Sequence, residues 1–116
     1  MRYLLFWHIH EHEMRARSET WHEEVAEFLS RFEDELGAQS ELDWSQVLAP
    51  ESQAEVVGPG NRRESGVYNE HGKPVVRLWM IRVDDPTRAS EIAGRLAGEL
   101  DTWIEVREVY EGAHRP

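Results

Sequence analysis

The chain has 116 residues, a formal net charge of -10 and no cysteine. The length suits one compact domain over residues 1–116. The lack of cysteine excludes disulfides, thiolate metal sites and a cysteine nucleophile. An acidic chain is repelled by phosphate, so we expect neither nucleic acid nor a membrane surface as a partner. The longest apolar run, residues 3–7, is too short to span a bilayer, and we expect a cytoplasmic protein.

A strand and a helix are predicted first. The segment RYLLFWHI, residues 2–9, is aromatic and β-prone, which predicts the first strand. The segment EHEMRARSET, residues 11–20, has no periodicity and predicts a polar loop. Thr20 and Glu23 have capping-box spacing, so the first helix is expected to begin there and to end near Gly37. Its apolar stripe recurs at steps of three and four: Trp21, Val25, Phe28, Leu29, Phe32 and Leu36.

The middle of the chain is less regular and rich in turn residues. The segments AEVV (54–57) and SGVY (65–68) are short strand candidates that flank GPGNRR. Proline, glycine and asparagine between them predict a hairpin turn.

The last third of the chain predicts a strand, a helix and a strand. KPVVRLWMIRV, residues 73–83, is a strong strand candidate. Asp85 as the N-cap and Pro86 at the first helical position then predict a second helix. Its buried stripe is expected to be Ala89, Ile92, Ala93, Leu96, Ala97 and Leu100. Residues 102–110 predict the closing strand, and the tail 111–116 is expected to fray.

This order of elements predicts an α+β domain of the ferredoxin-like βαββαβ type, with an antiparallel sheet and two helices on one face. In the 73–83 strand, Leu78 and Met80 alternate with Arg77 and Trp79. We expect the aliphatic set to pack on the helices, which would leave Trp79 and Trp103 on the open face. Two exposed indoles are typical of an interface, so a homodimer through the sheet face is predicted.

The stretch SGVYNEHGKPVVRLWMIRVDDPTRASEIA, residues 65–93, resembles the YCII-related, or DGPF-domain, family of the dimeric α+β barrel superfamily. The closing IEVREV is similar to the family's EVRPV, and FEDEL is similar to its FHEEL. The resemblance implies a ferredoxin-like subunit paired sheet to sheet in a dimer. Ser65 stands where the family has the aspartate of DGPF, and Glu33 stands where it has a histidine. The resemblance therefore implies a member without the usual site groups.

Three histidines follow the first strand in alternation: His8, His10 and His12. On an extended chain they would share a face and could bind a metal ion, or they could simply form a solvated strand end. Because no fourth ligand stands at a recognised spacing, we expect no tightly bound metal. We expect His8 to be the least exposed of the three, and His8 and His10 to border a small-molecule pocket. Either could act there as a general acid or base.

A second candidate site combines aromatic and charged residues near the strands. Its proposed ligand-binding members are Trp7, Ser65, Arg77, Trp79, Trp103 and Arg107. Arginines in an aromatic cleft would hold an anionic or planar small molecule. Alternatively, Arg77, Glu105 and Arg107 would pair across a dimer interface whose space the indoles fill. Glu33, at the edge of the first helix's stripe, is interpreted as a solvated carboxylate.

Two functions follow as hypotheses. The first is a non-catalytic small-molecule-binding or accessory module, and it is favoured because the family's aspartate and histidine are replaced. The second is a cofactor-independent enzyme that uses His8 or His10 as its acid or base. Neither hypothesis requires a cofactor.

Overall fold

One antiparallel sheet of four strands carries two long helices on one of its faces. The computed structural model describes residues 1–112, so the predicted fraying of the tail lies mostly outside the described residues. The elements are β1 (Arg2–His8), α1 (Glu11–Ala16), α2 (Glu19–Ala38), β2 (Leu42–Val47), β3 (Glu55–Val57), β4 (Arg63–Ser65), β5 (Val75–Arg82), α3 (Pro86–Leu100) and β6 (Ile104–Val109). The strand order is β2-β5-β1-β6, and β3 pairs with β4 in a separate hairpin. This α+β arrangement is consistent with a ferredoxin-like fold.

The two long helices begin at side-chain caps. At α2 the Ser18 hydroxyl accepts a hydrogen bond from the Trp21 amide at 3.0 Å. The predicted capping box at Thr20 is therefore wrong by two residues. At α3 the Asp85 carboxylate accepts from the Arg88 amide at 2.9 Å, which confirms the predicted cap. Among residues 1–112 neither these helices nor α1 combines the length and apolar character that crossing a membrane requires.

A short helix, α1, replaces the polar loop predicted over residues 11–20. None of its residues is buried, so its sequence carries no apolar stripe. Tertiary contacts hold it instead: Glu13 accepts from the Lys73 ammonium at 2.9 Å, and the Glu11 amide donates to the Glu51 carboxylate at 2.8 Å. Its position beside α2 closes one side of the cleft described below.

The core lies between the helices and the inner face of the sheet. The predicted stripe of α2 is confirmed, since Phe28, Leu29 and Phe32 are buried. The predicted stripe of α3 is confirmed for Ala89, Ile92, Ala93, Leu96 and Leu100, which are buried. From the sheet, β1 contributes Tyr3, Leu5 and Trp7 to the same core.

The two faces of β5 are the reverse of the prediction. Trp79 is fully buried against the helices, and its ring meets Phe32 edge-on at 6.5 Å between centroids. Leu78 and Met80 lie on the opposite, open face of the sheet, where they are only partly buried. Because both sets of β5 side chains are apolar, alternation alone did not fix which set faces the helices. The large indole fills the space under α2 that smaller aliphatic side chains would leave empty.

The middle of the chain holds one strand that lacks a clear sequence signal. β2, with the sequence LDWSQV, pairs with β5 at the sheet edge and has no buried residue. The predicted hairpin around GPGNRR is present, but its second arm is β4 (Arg63–Ser65) and not the segment 65–68. In the closing strand, Val106 faces the helices beside Leu5.

Candidate ligand-binding cleft

A cleft of about 350 Å³ opens between the helices and one end of the sheet. Helices α1 and α2, the end of β1, the start of β5 and the segment after β2 form its walls. Most of its lining is apolar: Trp7, Met14, Trp21, Val25, Leu29, Val47, Leu48 and Val76. Its polar lining residues are Glu11, His22, Glu51 and Arg77. A cleft of this size and composition is typical of small-molecule sites.

Two tryptophans form the aromatic part of the cleft. Trp7 is 4% exposed, and its ring lies 6.4 Å from that of Trp21, tilted by 59°. Within residues 1–112 neither buried indole Nε1 has a hydrogen-bond partner. A buried N–H without a partner is costly, so each indole would gain from a side-chain shift that brings its N–H to an acceptor in the cleft. The sequence predicted Trp7 as a site residue, but it placed Trp21 in the helix core stripe.

Arg77 lies between the cleft and a half-buried carboxylate. Its Nη2 donates to both oxygens of Glu33, at 3.0 and 3.1 Å. The Trp79 indole N–H donates to Glu33 Oε1 at 3.0 Å. Arg77 Nε, by contrast, is buried and has no hydrogen-bond partner among the described residues. The guanidinium is therefore fixed on one side and has an unused donor.

Glu33 is an ion-paired carboxylate, which corrects its interpretation as a solvated helix residue. Its side chain is 21% exposed. Burial alone would raise the pKa of Glu33, but hydrogen bonds from Ser45, Arg77 and Trp79 outweigh it and leave the pKa below its ordinary value. The network fixes Arg77 at the wall of the cleft. Since Arg77 is 44 positions away in the chain, no local sequence signal could reveal the pair.

Two carboxylates occupy the more solvent-accessible part of the cleft. The side chains of Glu51 and Glu11 are 23% and 30% exposed. Glu51 accepts from the Glu11 amide, and this hydrogen bond is the main reason why the pKa of Glu51 lies below its ordinary value. The sequence analysis identified neither residue as part of a site, because both stand in segments without periodicity.

The three histidines do not share a face. β1 ends at His8, whose Nδ1 lies 3.0 Å from the Lys73 carbonyl oxygen and whose Nε2 lies 3.3 Å from Glu105 Oε1. His10 instead stacks on His12 and approaches Glu51, with Nδ1 3.5 Å from Oε1. The His10 side chain is 23% exposed and that of His8 is 32% exposed, so the prediction that His8 is the least exposed is wrong. Neither His8 nor His10 lines the cleft, although Glu51, the neighbour of His10, does.

The predicted ligand-binding residues are divided among four places. Trp7 and Arg77 line the cleft, and Trp79 lies behind it in the core. Trp103 precedes β6, is 93% exposed and lies beside His8 in a separate depression. Arg107 faces outward on β6 and pairs with Glu105 at 3.3 Å. Ser65, at the end of β4, is exposed on the hairpin.

Neither the arrangement of possible metal ligands nor the comparison with known sequences gives further evidence about function. Over the described part of the chain, no group of three histidine, aspartate or glutamate side chains is arranged to hold a metal ion. No family model matches the chain, and no curated protein matches its sequence. Its function is therefore inferred from the geometry of the cleft.

Proposed function

We propose that the chain is a non-catalytic small-molecule-binding module whose ligand occupies the cleft between α1, α2 and the sheet. The observation that carries this proposal is the combination of an apolar cleft with three buried N–H groups that lack partners in residues 1–112: the Nε1 groups of Trp7 and Trp21 and the Nε of Arg77. The proposal needs no cofactor. It includes membership of the YCII-related family, which the resemblance of residues 65–93 supports.

The physical argument concerns the cost of unpaired donors. Leaving a buried donor without an acceptor costs about 1–3 kcal/mol. A ligand that presents an oxygen acceptor to these groups would recover part of that cost, and its apolar body would displace water from the cleft. Flat aromatic rings suit the space beside the paired indoles, since ring contacts contribute beyond area burial.

The test is calorimetric titration with 2-naphthamide, a planar molecule with one carbonyl acceptor. We expect saturable binding that Trp7→Phe or Trp21→Phe weakens about tenfold, because each change keeps a ring and removes one N–H donor. Trp103→Phe is the matched control, since it removes an indole that does not line the cleft. Lack of binding at millimolar probe, or equal loss in all three variants, would contradict the proposal.

A homodimer formed through the open sheet face belongs to the same proposal. The register places Leu4, Phe6, Leu78 and Met80 together on this face. All four are only partly buried, and Trp44, paired with Met80 on β2, is 38% exposed. A contiguous apolar sheet face of this kind is typical of an interface. Sheet-to-sheet pairing of two copies would give the dimeric α+β barrel that the family resemblance implies.

An enzyme that uses His8 or His10 is the alternative. One contact supports it: His10 lies 3.5 Å from Glu51, which lines the cleft. The binding module is favoured because neither histidine lines the cleft itself, and because Arg77, the cation that does, is held by Glu33. In this proposal the cleft recognises a ligand and does not transform it.

A further inference from the structure

The charged side chains that line the cleft differ in how they are paired within the chain. The cation among the lining residues, Arg77, donates to both oxygens of Glu33. Glu11 lies 3.3 Å from the exposed guanidinium of Arg15. Glu51 has only a histidine, His10, as its ionisable neighbour at the ion-pair distance among the described residues. The arginine that lines the cleft is therefore already paired within the chain.

We propose that the cleft selects uncharged, acceptor-bearing planar molecules over carboxylates of the same shape. Aromatic amides, ketones and lactones are the chemical class that this describes. This inference rests on the proposed function, since it names the ligand class of the same site. It also narrows the sequence-based expectation of an anionic or planar small molecule to the planar, uncharged alternative.

The reason lies in the position of the donors relative to the charges. Trp7 and Trp21 would donate through neutral indole N–H groups, from which a carbonyl oxygen can accept without the cost of desolvating a carboxylate. An anion placed there gains less from Arg77 than from an unpaired guanidinium, because Glu33 already binds Nη2 and offsets the charge. It would also be desolvated beside the carboxylate of Glu51, which pairs with no arginine or lysine among the described residues, and like charges at short range repel.

The experiment compares 2-naphthamide with 2-naphthoate, which share a ring system and a carbonyl oxygen and differ in charge at neutral pH. We expect the amide to bind at least about tenfold more tightly, equivalent to about 1.4 kcal/mol. Higher salt should lower the ratio of the 2-naphthamide affinity to the 2-naphthoate affinity, since it screens the repulsion of the anion at this partly exposed site.

A glutamate variant tests whether cleft charge is the cause. Glu51→Gln removes one charge and keeps an oxygen that can accept from the Glu11 amide. We expect it to improve 2-naphthoate binding at least about threefold relative to 2-naphthamide binding, so that the ratio of the two affinities falls. Glu99→Gln, on the exposed side of α3, is the matched control and should alter neither affinity.

The outcomes separate this inference from the proposed function. If both probes bind equally and both lose affinity in Trp7→Phe, the proposed selectivity is wrong but the proposed binding site is supported. Tighter binding of the carboxylate, or equal effects of Glu51→Gln and Glu99→Gln, would also overturn the selectivity. If neither probe binds, the proposed function fails, and the selectivity fails with it.

Discussion

Both faces of the sheet carry large apolar side chains, yet the two faces differ in how those side chains are covered. On the inner face, Trp79 is fully buried and its indole N–H reaches the carboxylate of Glu33. On the outer face, Phe6 and Leu78 pair across strands but remain partly exposed, and no helix within residues 1–112 covers them. Helices of the chain itself thus cover the inner face. The outer face has apolar surface that a second copy would bury in the proposed dimer.

This difference shows why hydrophobicity alone did not assign the faces. The inner face is distinguished by the partly buried ion pair of Glu33 and Arg77 beside it. Either charge would be costly to bury alone, so the two side chains are buried together. The same pair leaves one Arg77 donor unused at the cleft. Ligand binding is therefore expected on the inner side of the sheet, and association of subunits on the outer side.

Truncation of Phe32 should produce the largest effect on stability. Phe32→Ala removes a fully buried ring that packs on Phe28 and Trp79, and should lower the free energy of unfolding by about 3–5 kcal/mol. Tyr68→Ala, at a ring that is 96% exposed, should change it by less than about 0.5 kcal/mol. Chemical denaturation measures both, and a loss below about 1 kcal/mol for Phe32→Ala would contradict the assignment of the core.

A charge on the outer face should break association without unfolding the subunit. Phe6→Asp places a carboxylate among Leu4, Leu78 and Met80, so we expect dimer affinity to fall at least about a hundredfold. Ser30→Asp adds the same charge to the exposed side of α2 and should leave the dimer intact. Light scattering over a concentration series, with circular dichroism as the folding control, measures this. A wild-type chain that remains monomeric at micromolar concentration would contradict the dimer.

Removal of the Glu33 charge tests how much the ion pair on the inner face of the sheet contributes to stability. Glu33→Gln leaves Arg77 without its ion partner and should cost about 1–3 kcal/mol at neutral pH. Because the folded-state pKa of Glu33 is lowered, its contribution is present above its ordinary pKa and is lost as the pH falls through the folded value. The deficit of the variant should therefore shrink in acid. Glu23→Gln, at an exposed position of α2, is the control, and a deficit that is constant with pH would contradict the role of the charge.

The smallest effect concerns the start of α2. Ser18→Ala removes the hydroxyl that accepts from the Trp21 amide and should cost about 1 kcal/mol. Thr20→Ala, at the cap predicted from sequence, should change stability by less than about 0.5 kcal/mol. Thermal denaturation of the two variants distinguishes the two caps. A larger loss of stability in Thr20→Ala than in Ser18→Ala would instead support Thr20 as the N-cap.

The sequence predicted the elements whose signals are local. β1 is an aromatic, β-prone run, the stripe of α2 recurs with helical period, and Asp85 with Pro86 marks the start of α3. α1 and β2 were not predicted because they bury no residue and so carry no apolar pattern. Tertiary contacts such as that between Glu13 and Lys73 hold α1 in place.

The site was predicted only in part for the same physical reason. Trp7 and Arg77 were identified from residue type, and both line the cleft. Trp21 and Glu51 were missed because their roles depend on elements that meet only in the folded chain. The histidines were expected to share a face, but that expectation assumed an extended chain beyond His8, where the backbone instead turns into α1.

The most direct test of ligand binding on the inner side uses the indole N–H signals of the five tryptophans. Each gives one resolved proton–nitrogen correlation in NMR, and single Trp→Phe variants assign them. Titration with 2-naphthamide should shift the signals of Trp7 and Trp21 with one common dissociation constant. The signals of Trp44 and Trp103, which lie outside the cleft, should stay in place. Shifts confined to Trp44 and Trp103 would contradict binding in the cleft and would place the ligand elsewhere on the molecule.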